Sequence, residues 1–138
     1  MEEQEKILLI DDDPDVLEAM KVVLESRAYT VVTARDGLEG LEKVRQETPD
    51  LIILDLLMPK LDGFGVVRTL KEDPRYAKYS EIPILILTAV REEASRRRYE
   101  LETGLAMDVD DYVEKPISPE ELLHRVEKLL MKVRKVEK

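Results

Sequence analysis

Cysteine and tryptophan are absent from this chain of 138 residues, which contains one histidine. Without cysteine, disulfides and thiolate metal sites are excluded. No apolar run approaches the roughly 20 residues that a membrane-spanning helix needs. The opening residues, Met-Glu-Glu-Gln-Glu-Lys, are acidic and contain no apolar segment of signal-peptide length. We therefore expect a cytoplasmic protein that makes no contact with a membrane.

Positive charge is in the minority, with 22 Lys and Arg against 31 Asp and Glu and a net charge of −9. This balance argues against direct binding of nucleic acid. Apolar residues make up 43% and charged residues 38%, which is typical of a globular protein rather than a disordered one. The length suits one core. We predict a single domain over residues 1–138, with its core at about 5–130 and a short basic helical extension at 131–138.

Short stretches of apolar or β-branched residues alternate along the chain with segments of helical periodicity. Unbroken apolar runs predict strands that are buried on both faces, as in parallel sheets. The predicted strands cover residues 6–10, 29–34, 51–54, 84–87 and 112–113. A helix is predicted after each strand, beginning near residues 14, 38, 64, 91 and 119, and residues 74–83 are predicted to be a loop. This alternation indicates right-handed βαβ units, hence a parallel sheet with helices on both faces.

Two of the predicted helices have recognisable ends or faces. The second is expected to follow a turn at Asp36-Gly37 and to carry Leu38, Leu41 and Val44 on one face. The last begins at Ser118-Pro119-Glu120-Glu121, which has the N-cap, the first-turn proline and the glutamate of a capping box. Its apolar face is predicted to contain Leu122, Val126, Leu129, Leu130 and Val133.

Polar side chains stand where the predicted strands end, and in an open α/β sheet that edge binds ligands. These residues are Asp11 and Asp12 after the first strand, Asp55 after the third, Thr88 after the fourth and Lys115 after the fifth. If the first and third strands are neighbours, three carboxylates meet, and a hard divalent cation such as Mg²⁺ would offset their repulsion. A carboxylate nucleophile, a metal, a cation and a hydroxyl donor together suit a phosphoryl group.

Four motifs at these strand ends resemble those of a response regulator receiver domain from two-component signal transduction. They are Ile-Leu-Leu-Ile-Asp-Asp-Asp-Pro (7–14), Leu-Ile-Ile-Leu-Asp-Leu-Leu-Met-Pro-Lys-Leu-Asp-Gly (51–63), Leu-Thr-Ala (87–89) and Asp-Tyr-Val-Glu-Lys-Pro (111–116). The resemblance runs over nearly the whole chain. It implies a flavodoxin-like (βα)5 fold, whose doubly wound parallel sheet of five strands has the order 2-1-3-4-5.

The resemblance also implies a role for each acidic residue. Asp55 would accept a phosphoryl group from the phosphohistidine of a sensor histidine kinase or phosphotransfer protein, with Mg²⁺ as cofactor. Asp12, Asp55 and the backbone carbonyl of Leu57 would bind the metal directly, and Asp11 would support it through water. The chain would then be a signalling domain that catalyses only its own phosphorylation and dephosphorylation, rather than an enzyme with an external substrate.

The same resemblance implies that residues at the ends of the fourth and fifth strands sense phosphorylation and transmit it. Thr88 and Lys115 would contact the phosphoryl oxygens, and Tyr112 would be an aromatic switch that turns inward when Thr88 moves. Leu57 and Val90 flank the path of attacking water in the family, and because both are apolar here we expect slow self-dephosphorylation. Output would change the affinity for a partner or a second copy through the fourth helix, fifth strand and fifth helix.

Charges of both signs on that output face suit a two-fold contact. The charged residues are Arg91, Arg96, Arg97, Arg98, Glu100, Glu102, Asp110, Asp111 and Glu114. The chain departs from the family in two places. The approach to the last strand, residues 104–112, is longer by several residues, and Ile117 stands where an aromatic residue is frequent. The second departure is expected to affect packing only.

Three other functions compete with this interpretation. A phosphatase or phosphotransferase that forms an aspartyl-phosphate usually has a second acid two residues after its nucleophile, where this chain has Leu57. A calcium loop over the alternating acids from Asp11 would need glycine and glutamate where Val16 and Val22 stand. A degenerate receiver that acts only as a protein-binding module would not need the complete set of acids with Thr88 and Lys115.

Overall fold

A computed structural model describes the backbone of residues 4–88 and 109–137 and the side chains of residues 4–87 and 109–132. Within these ranges the strands are β1 (Lys6–Ile10), β2 (Thr30–Ala34), β3 (Leu51–Asp55), β4 (Ile84–Thr88) and β5 (Asp111–Glu114). The helices are α1 (Pro14–Glu25), α2 (Gly37–Glu47), α3 (Gly63–Glu72), a 3-10 helix (Pro74–Tyr79) and α4 (Pro119–Glu137). All five predicted strands are confirmed. No helix within the described ranges has the length and apolar character needed to cross a bilayer.

The described strands form a five-stranded parallel sheet in the order β2-β1-β3-β4-β5. This is the predicted order, so β1 and β3 are neighbours. Ile10 at the end of β1 lies opposite both Ala34 of β2 and Leu54 of β3. The residues that follow Ile10 and Leu54 therefore leave the sheet side by side, and both are aspartates.

The core lies in two layers, one on each face of the sheet. Alternate residues of β1 point to opposite faces, as strand geometry requires. Leu8 and Ile10 join the layer under α2 and α3, whereas Ile7 and Leu9 join the layer under α1 and α4. Each of these four side chains is at most 1% exposed. Truncation of such a buried leucine or isoleucine to alanine costs about 2–5 kcal/mol, so both layers hold the strand ends in place.

Side-chain caps fix where the helices begin at the carboxyl edge of the sheet. Asp13, Asp36 and Asp62 each accept a hydrogen bond from a backbone N–H in the first turn of α1, α2 and α3. Ser118 accepts from the N–H of Glu121 at 3.1 Å, which confirms the predicted start of the last helix. Each cap contributes about 1 kcal/mol. The Asp36-Gly37 pair was predicted as a turn, whereas Asp36 is the N-cap and Gly37 the first residue of α2.

Two expectations about local structure are wrong. Residues 74–79 form a 3-10 helix instead of a loop, because Asp73 caps it and Pro74 suits its first turn, while Tyr76 and Tyr79 are buried. Leu38 is 56% exposed instead of buried.

The exposure of Leu38 follows from the way α2 packs. The buried residues of this helix are Gly37, Gly40, Leu41 and Val44. Two glycines on that face let the helix approach β1 and the loop after β3 closely, and the rotation that results points Leu38 towards solvent. Of the predicted apolar face of α4, the four leucine and valine side chains up to Leu130 are buried, and the side chain of Val133 lies outside the described residues.

Candidate functional site

Three aspartates meet at the carboxyl ends of β1 and β3. Asp11, Asp12 and Asp55 each offer a carboxylate oxygen, and these oxygens lie within 4.8 Å of one another. Asp11 is 2% exposed and Asp55 is 4% exposed, whereas Asp12 is exposed to solvent. Carboxylates at this spacing repel, and the repulsion is screened little where water is scarce. A set of oxygen donors with one open side fits a hard divalent cation such as Mg²⁺.

Lys115 reaches this cluster from the end of β5. Its Nζ lies 3.0 Å from Oδ2 of Asp11 and 3.5 Å from Oδ1 of Asp55. The other oxygen of Asp11, Oδ1, accepts a hydrogen bond of 3.0 Å from the backbone N–H of Asp13. Asp11 is therefore oriented from two sides by its own chain, which suits the predicted role of supporting a metal through water. The ammonium group offsets part of the negative charge and can face a phosphoryl oxygen.

The remaining predicted site residues occupy the adjoining strand ends. Leu57 is half-buried in the loop after β3. Thr88 ends β4 and lies opposite Glu114 in the sheet register, but its side chain is outside the described part of the chain. Tyr112 is half-buried in β5 and packs against the core layer under α2 and α3. The structure thus brings Asp11, Asp12, Asp55 and Lys115 together at one edge of the sheet, and the roles of the other residues stay predictions.

The loop that connects β3 to α3, residues 56–62, turns sharply beside the cluster. The N–H of Gly63 donates to the carbonyl of Leu56 at 2.7 Å. A Cβ at Gly63 would lie 2.5 Å from the carbonyl oxygen of Asp55, so this close return of the chain requires glycine. Lys60 has a φ of 69°, in the left-handed region. The backbone after Asp55 is therefore tightly constrained.

An ion pair that was not predicted from the sequence lies at the rim of this loop. Nζ of Lys60 lies 3.5 Å from Oδ2 of Asp36. The backbone N–H of Glu39 donates to Asp36 and lowers the pKa of that carboxyl, and the charge of Lys60 lowers it further. The side chain of Glu39 in turn accepts from the N–H of Arg35, the residue before the cap, at 2.8 Å. The sequence signals the cap, as an aspartate followed three residues later by a glutamate, but it does not signal the pairing of Asp36 with Lys60.

Comparison with known proteins decides the family. The model of the response regulator receiver domain matches residues 7–127 of this chain. The chain belongs to the receiver domain family. A protein described as a probable transcriptional regulator, ycf27, of Guillardia theta is 42% identical to this receiver over 135 residues, which are 98% of this chain and 49% of the relative. The alkaline phosphatase synthesis transcriptional regulatory protein PhoP of Bacillus subtilis is 41% identical over 125 residues, which are 91% of this chain and 48% of the relative.

Solved structures give the same family. The receiver domain of the sensor histidine kinase PA1611 from Pseudomonas aeruginosa matches with a TM-score of 0.79 and 25% identity, covering 93% of this chain and 98% of the other. That structure holds a magnesium ion coordinated in its active-site cleft. The receiver described here spans about half the length of the curated relatives it matches.

Several charges of the predicted output face have partners within the receiver itself. Asp110 accepts a hydrogen bond of 2.9 Å from the N–H of Ile84. Asp111 accepts from Arg125 of α4 at 2.9 Å, and Arg125 also donates to Glu121 at 2.6 Å. Glu121 first, and then Asp111, raise the pKa of Arg125. These contacts tie β5 to α4, so a partner on this face would meet charges that are already paired.

Some of the predictions concern residues that lie outside the described part of the chain. The helix predicted near 91–103, the longer segment at 104–108 and Val90 lie outside the described residues. Ile117, the second departure from the family, packs against the core layer under α1 and α4.

Proposed function

We propose that this receiver accepts a phosphoryl group on Asp55 from the phosphohistidine of a sensor histidine kinase or phosphotransfer protein. One observation carries the proposal. Asp55 is buried at the end of β3, within 4.8 Å of two further carboxylates and 3.5 Å from the ammonium group of Lys115. A nucleophilic carboxylate with a cation beside it is the arrangement that in-line phosphoryl transfer requires.

The chemistry follows from the placement of these groups. A carboxylate oxygen of Asp55 attacks phosphorus, a P–O bond forms, the P–N bond to the imidazole breaks, and the electron pair returns to the imidazole nitrogen. Nζ of Lys115 lies 3.5 Å from Oδ1 of Asp55, so it would stand beside a phosphoryl group formed on that carboxylate. The product is an acyl phosphate on β3.

The donor set fits Mg²⁺, which would be held by Asp12, Asp55 and the carbonyl of Leu57, with Asp11 acting through water. When bound, the metal would neutralise charge on the phosphoryl oxygens. The magnesium in the cleft of the PA1611 receiver supports this assignment.

Phosphate incorporation from acetyl phosphate tests the proposal. The readout is the intact mass of the protein, and dephosphorylated protein is the control. The wild-type chain should gain one phosphoryl group with Mg²⁺ and none with a chelator. Asp55→Asn should gain none, whereas Asp50→Asn, at the other end of β3, should behave as the wild type. Incorporation that survives Asp55→Asn would rule out this nucleophile. Steady turnover of an external phosphoester would favour the phosphatase alternative, and no incorporation by the wild type would favour a degenerate receiver.

We propose further that phosphorylation changes the affinity for a partner or a second copy through Thr88, Tyr112 and the surface around β5 and α4. The curated relatives are named as transcriptional regulators and are about twice as long, so DNA binding would belong to a separate part of such a protein. Self-association and amide exchange across residues 90–112 should change with beryllofluoride and Mg²⁺. No change at full occupancy of Asp55 would mean that the signal leaves by another face.

The lifetime of the phosphoryl group is a separate proposal. Leu57 offers no hydrogen bond to a water molecule that attacks the acyl phosphate, and Val90 offers none either. Leu57→Asn should therefore change the decay rate of the phosphorylated form, while Leu57→Met should leave it as in the wild type. An unchanged rate in Leu57→Asn would contradict the idea.

A further inference from the structure

Leu61, in the loop after β3, lies against the first residue of α2. A Cβ built on Gly37 would stand 2.0 Å from the carbonyl oxygen of Leu61 and 2.8 Å from its carbonyl carbon. Both are backbone atoms, so no rotation of a side chain could make room. Any side chain at position 37 must move either the start of α2 or the loop itself.

The side chain of Leu61 is partly buried and lies against α3. A Cβ on Gly65 would stand 2.4 Å from Cδ1 of Leu61 and 3.1 Å from Cγ. Leu61 is therefore held between two helices, with its backbone against α2 and its side chain against α3. These two contacts differ in kind, because a methyl group at the end of a flexible side chain can yield and a peptide carbonyl cannot.

The loop has little freedom to absorb a displacement at Leu61. The N–H of Leu61 donates to the carbonyl of Pro59 at 2.8 Å, and Lys60 between them is in the left-handed region with a φ of 69°. At its other end the loop is closed by the bond from Gly63 to Leu56 at 2.7 Å. A displacement of the Leu61 backbone would therefore also displace residues 56–60, which include Leu57 and directly follow Asp55.

We propose that Gly37 and Leu61 are positioning residues for the metal and phosphoryl site. The contact between α2 and the loop holds the backbone that places the carbonyl of Leu57 and the carboxylate of Asp55. This inference rests on the proposed function, because it concerns the same site, but it assigns part of that site's geometry to a helix that supplies no ligand. Neither Gly37 nor Leu61 is among the proposed metal ligands.

The test compares Gly37→Ala with Gly65→Ala, two identical substitutions that press on the same residue. Mg²⁺ affinity is measured by isothermal titration calorimetry, below the melting temperature of each metal-free variant. Gly37→Ala should weaken Mg²⁺ binding about tenfold, as loss of a residue that orients metal ligands does. Gly65→Ala should bind Mg²⁺ as the wild type does. Amide resonances of residues 56–61 in the metal-free protein should shift in Gly37→Ala more than in Gly65→Ala.

A second variant covers the case in which Gly37→Ala does not fold. Leu61→Ala removes the side chain that packs against α3 without adding an atom, and it should also weaken Mg²⁺ binding while phosphorylation recovers at saturating Mg²⁺. Equal Mg²⁺ affinity in the wild type and in whichever of the two variants folds would overturn the positioning role. Failure of the wild type to bind Mg²⁺ or to be phosphorylated would instead overturn the proposed function, so the two failures are distinguishable.

Discussion

Charged residues are arranged differently at the two edges of the same sheet. At the amino edge, the backbone N–H of Lys6 donates to Asp50 at 2.7 Å, and the Lys6 ammonium lies 3.0 Å from Glu47. At the carboxyl edge, three aspartates lie together, and Lys115 pairs with two of them, Asp11 and Asp55. At the amino edge, Asp50 and Glu47 each face a separate donor group of Lys6, whereas at the carboxyl edge three aspartates lie around one lysine.

This difference separates residues that stabilise the fold from residues that are available for chemistry. A partly exposed ion pair such as Lys6 and Glu47 adds little to the free energy of unfolding. Carboxylates that are buried together oppose folding, and they persist where a ligand supplies the missing positive charge. The excess of acid at one edge therefore points to the site, and the balance at the other edge does not.

The largest effect should come from removing the lysine at each edge. In the absence of divalent metal, Lys115→Met should lower the free energy of unfolding by about 3 kcal/mol, because it leaves buried carboxylates without their cation. Lys6→Met should cost at most about 1 kcal/mol, because Lys6 and Glu47 are each about one-third exposed. Urea unfolding measures both values. Equal losses would show that the two edges do not differ in this way.

Mg²⁺ provides the control for this pair of variants. It should restore more stability to Lys115→Met than to Lys6→Met, because only the first variant adds to the excess of negative charge at the metal site.

A smaller change in stability is expected when aspartate is replaced by asparagine at either end of β3, and its sign should differ between the two ends. Without metal, Asp55→Asn should stabilise the protein by about 1 kcal/mol, because it removes a buried like charge from the cluster. Asp50→Asn should destabilise it by about 1 kcal/mol, because the amide is a weaker acceptor than the carboxylate for the N–H of Lys6. Thermal unfolding in a chelator distinguishes the two, and a loss of stability in Asp55→Asn would contradict the account.

The sequence predicted the fold more completely than it predicted the loops. Runs such as Leu51–Leu54 leave little choice, because four consecutive apolar residues must be covered on both faces. The acids at the strand ends were predictable for the same reason, since a buried run that stops at Asp55 places that residue at the edge. The strand order came from the family, because the hydrophobic pattern carries no information on which strands are neighbours.

What the sequence did not reveal depends on contacts between distant residues. The exposure of Leu38 and the contact of Gly37 with Leu61 both follow from how α2 is rotated, which periodicity alone does not fix. The 3-10 helix at Pro74–Tyr79 depends on burial of two tyrosines that a turn-rich sequence does not predict. Asp36 could have been assigned as a cap. Its pairing with Lys60 could not have been predicted, because the two residues are far apart in the sequence.

The smallest expected effect is a pH dependence at Asp36, which links the carboxyl edge to α2. The pKa of Asp36 is lowered from its ordinary value of 3.8 by the N–H of Glu39 and then by Lys60. A lowered pKa in the folded state means that the ionised form stabilises the fold above pH 3.8 and that this contribution is lost as the pH falls through the folded pKa. Asp36→Asn should therefore be slightly less stable than the wild type at pH 7.

The two unfolding curves should converge as the medium becomes more acidic than pH 3.8. Lys60→Met should show a smaller part of the same difference, about 0.5 kcal/mol or less, because Lys60 is 65% exposed. A difference between Asp36→Asn and the wild type that is constant with pH would exclude ionisation of Asp36 as its origin.

The position of β1 has a mechanical consequence. This strand follows directly on the amino-terminal segment and is paired in parallel with β2 on one side and β3 on the other. Tension applied to the chain before Lys6 acts along the strand axis, nearly perpendicular to the hydrogen bonds of both ladders, so it loads the bonds together rather than opening them in sequence. We expect the receiver to resist pulling from its amino end more strongly than from its carboxyl end, where tension would peel α4 away from the sheet.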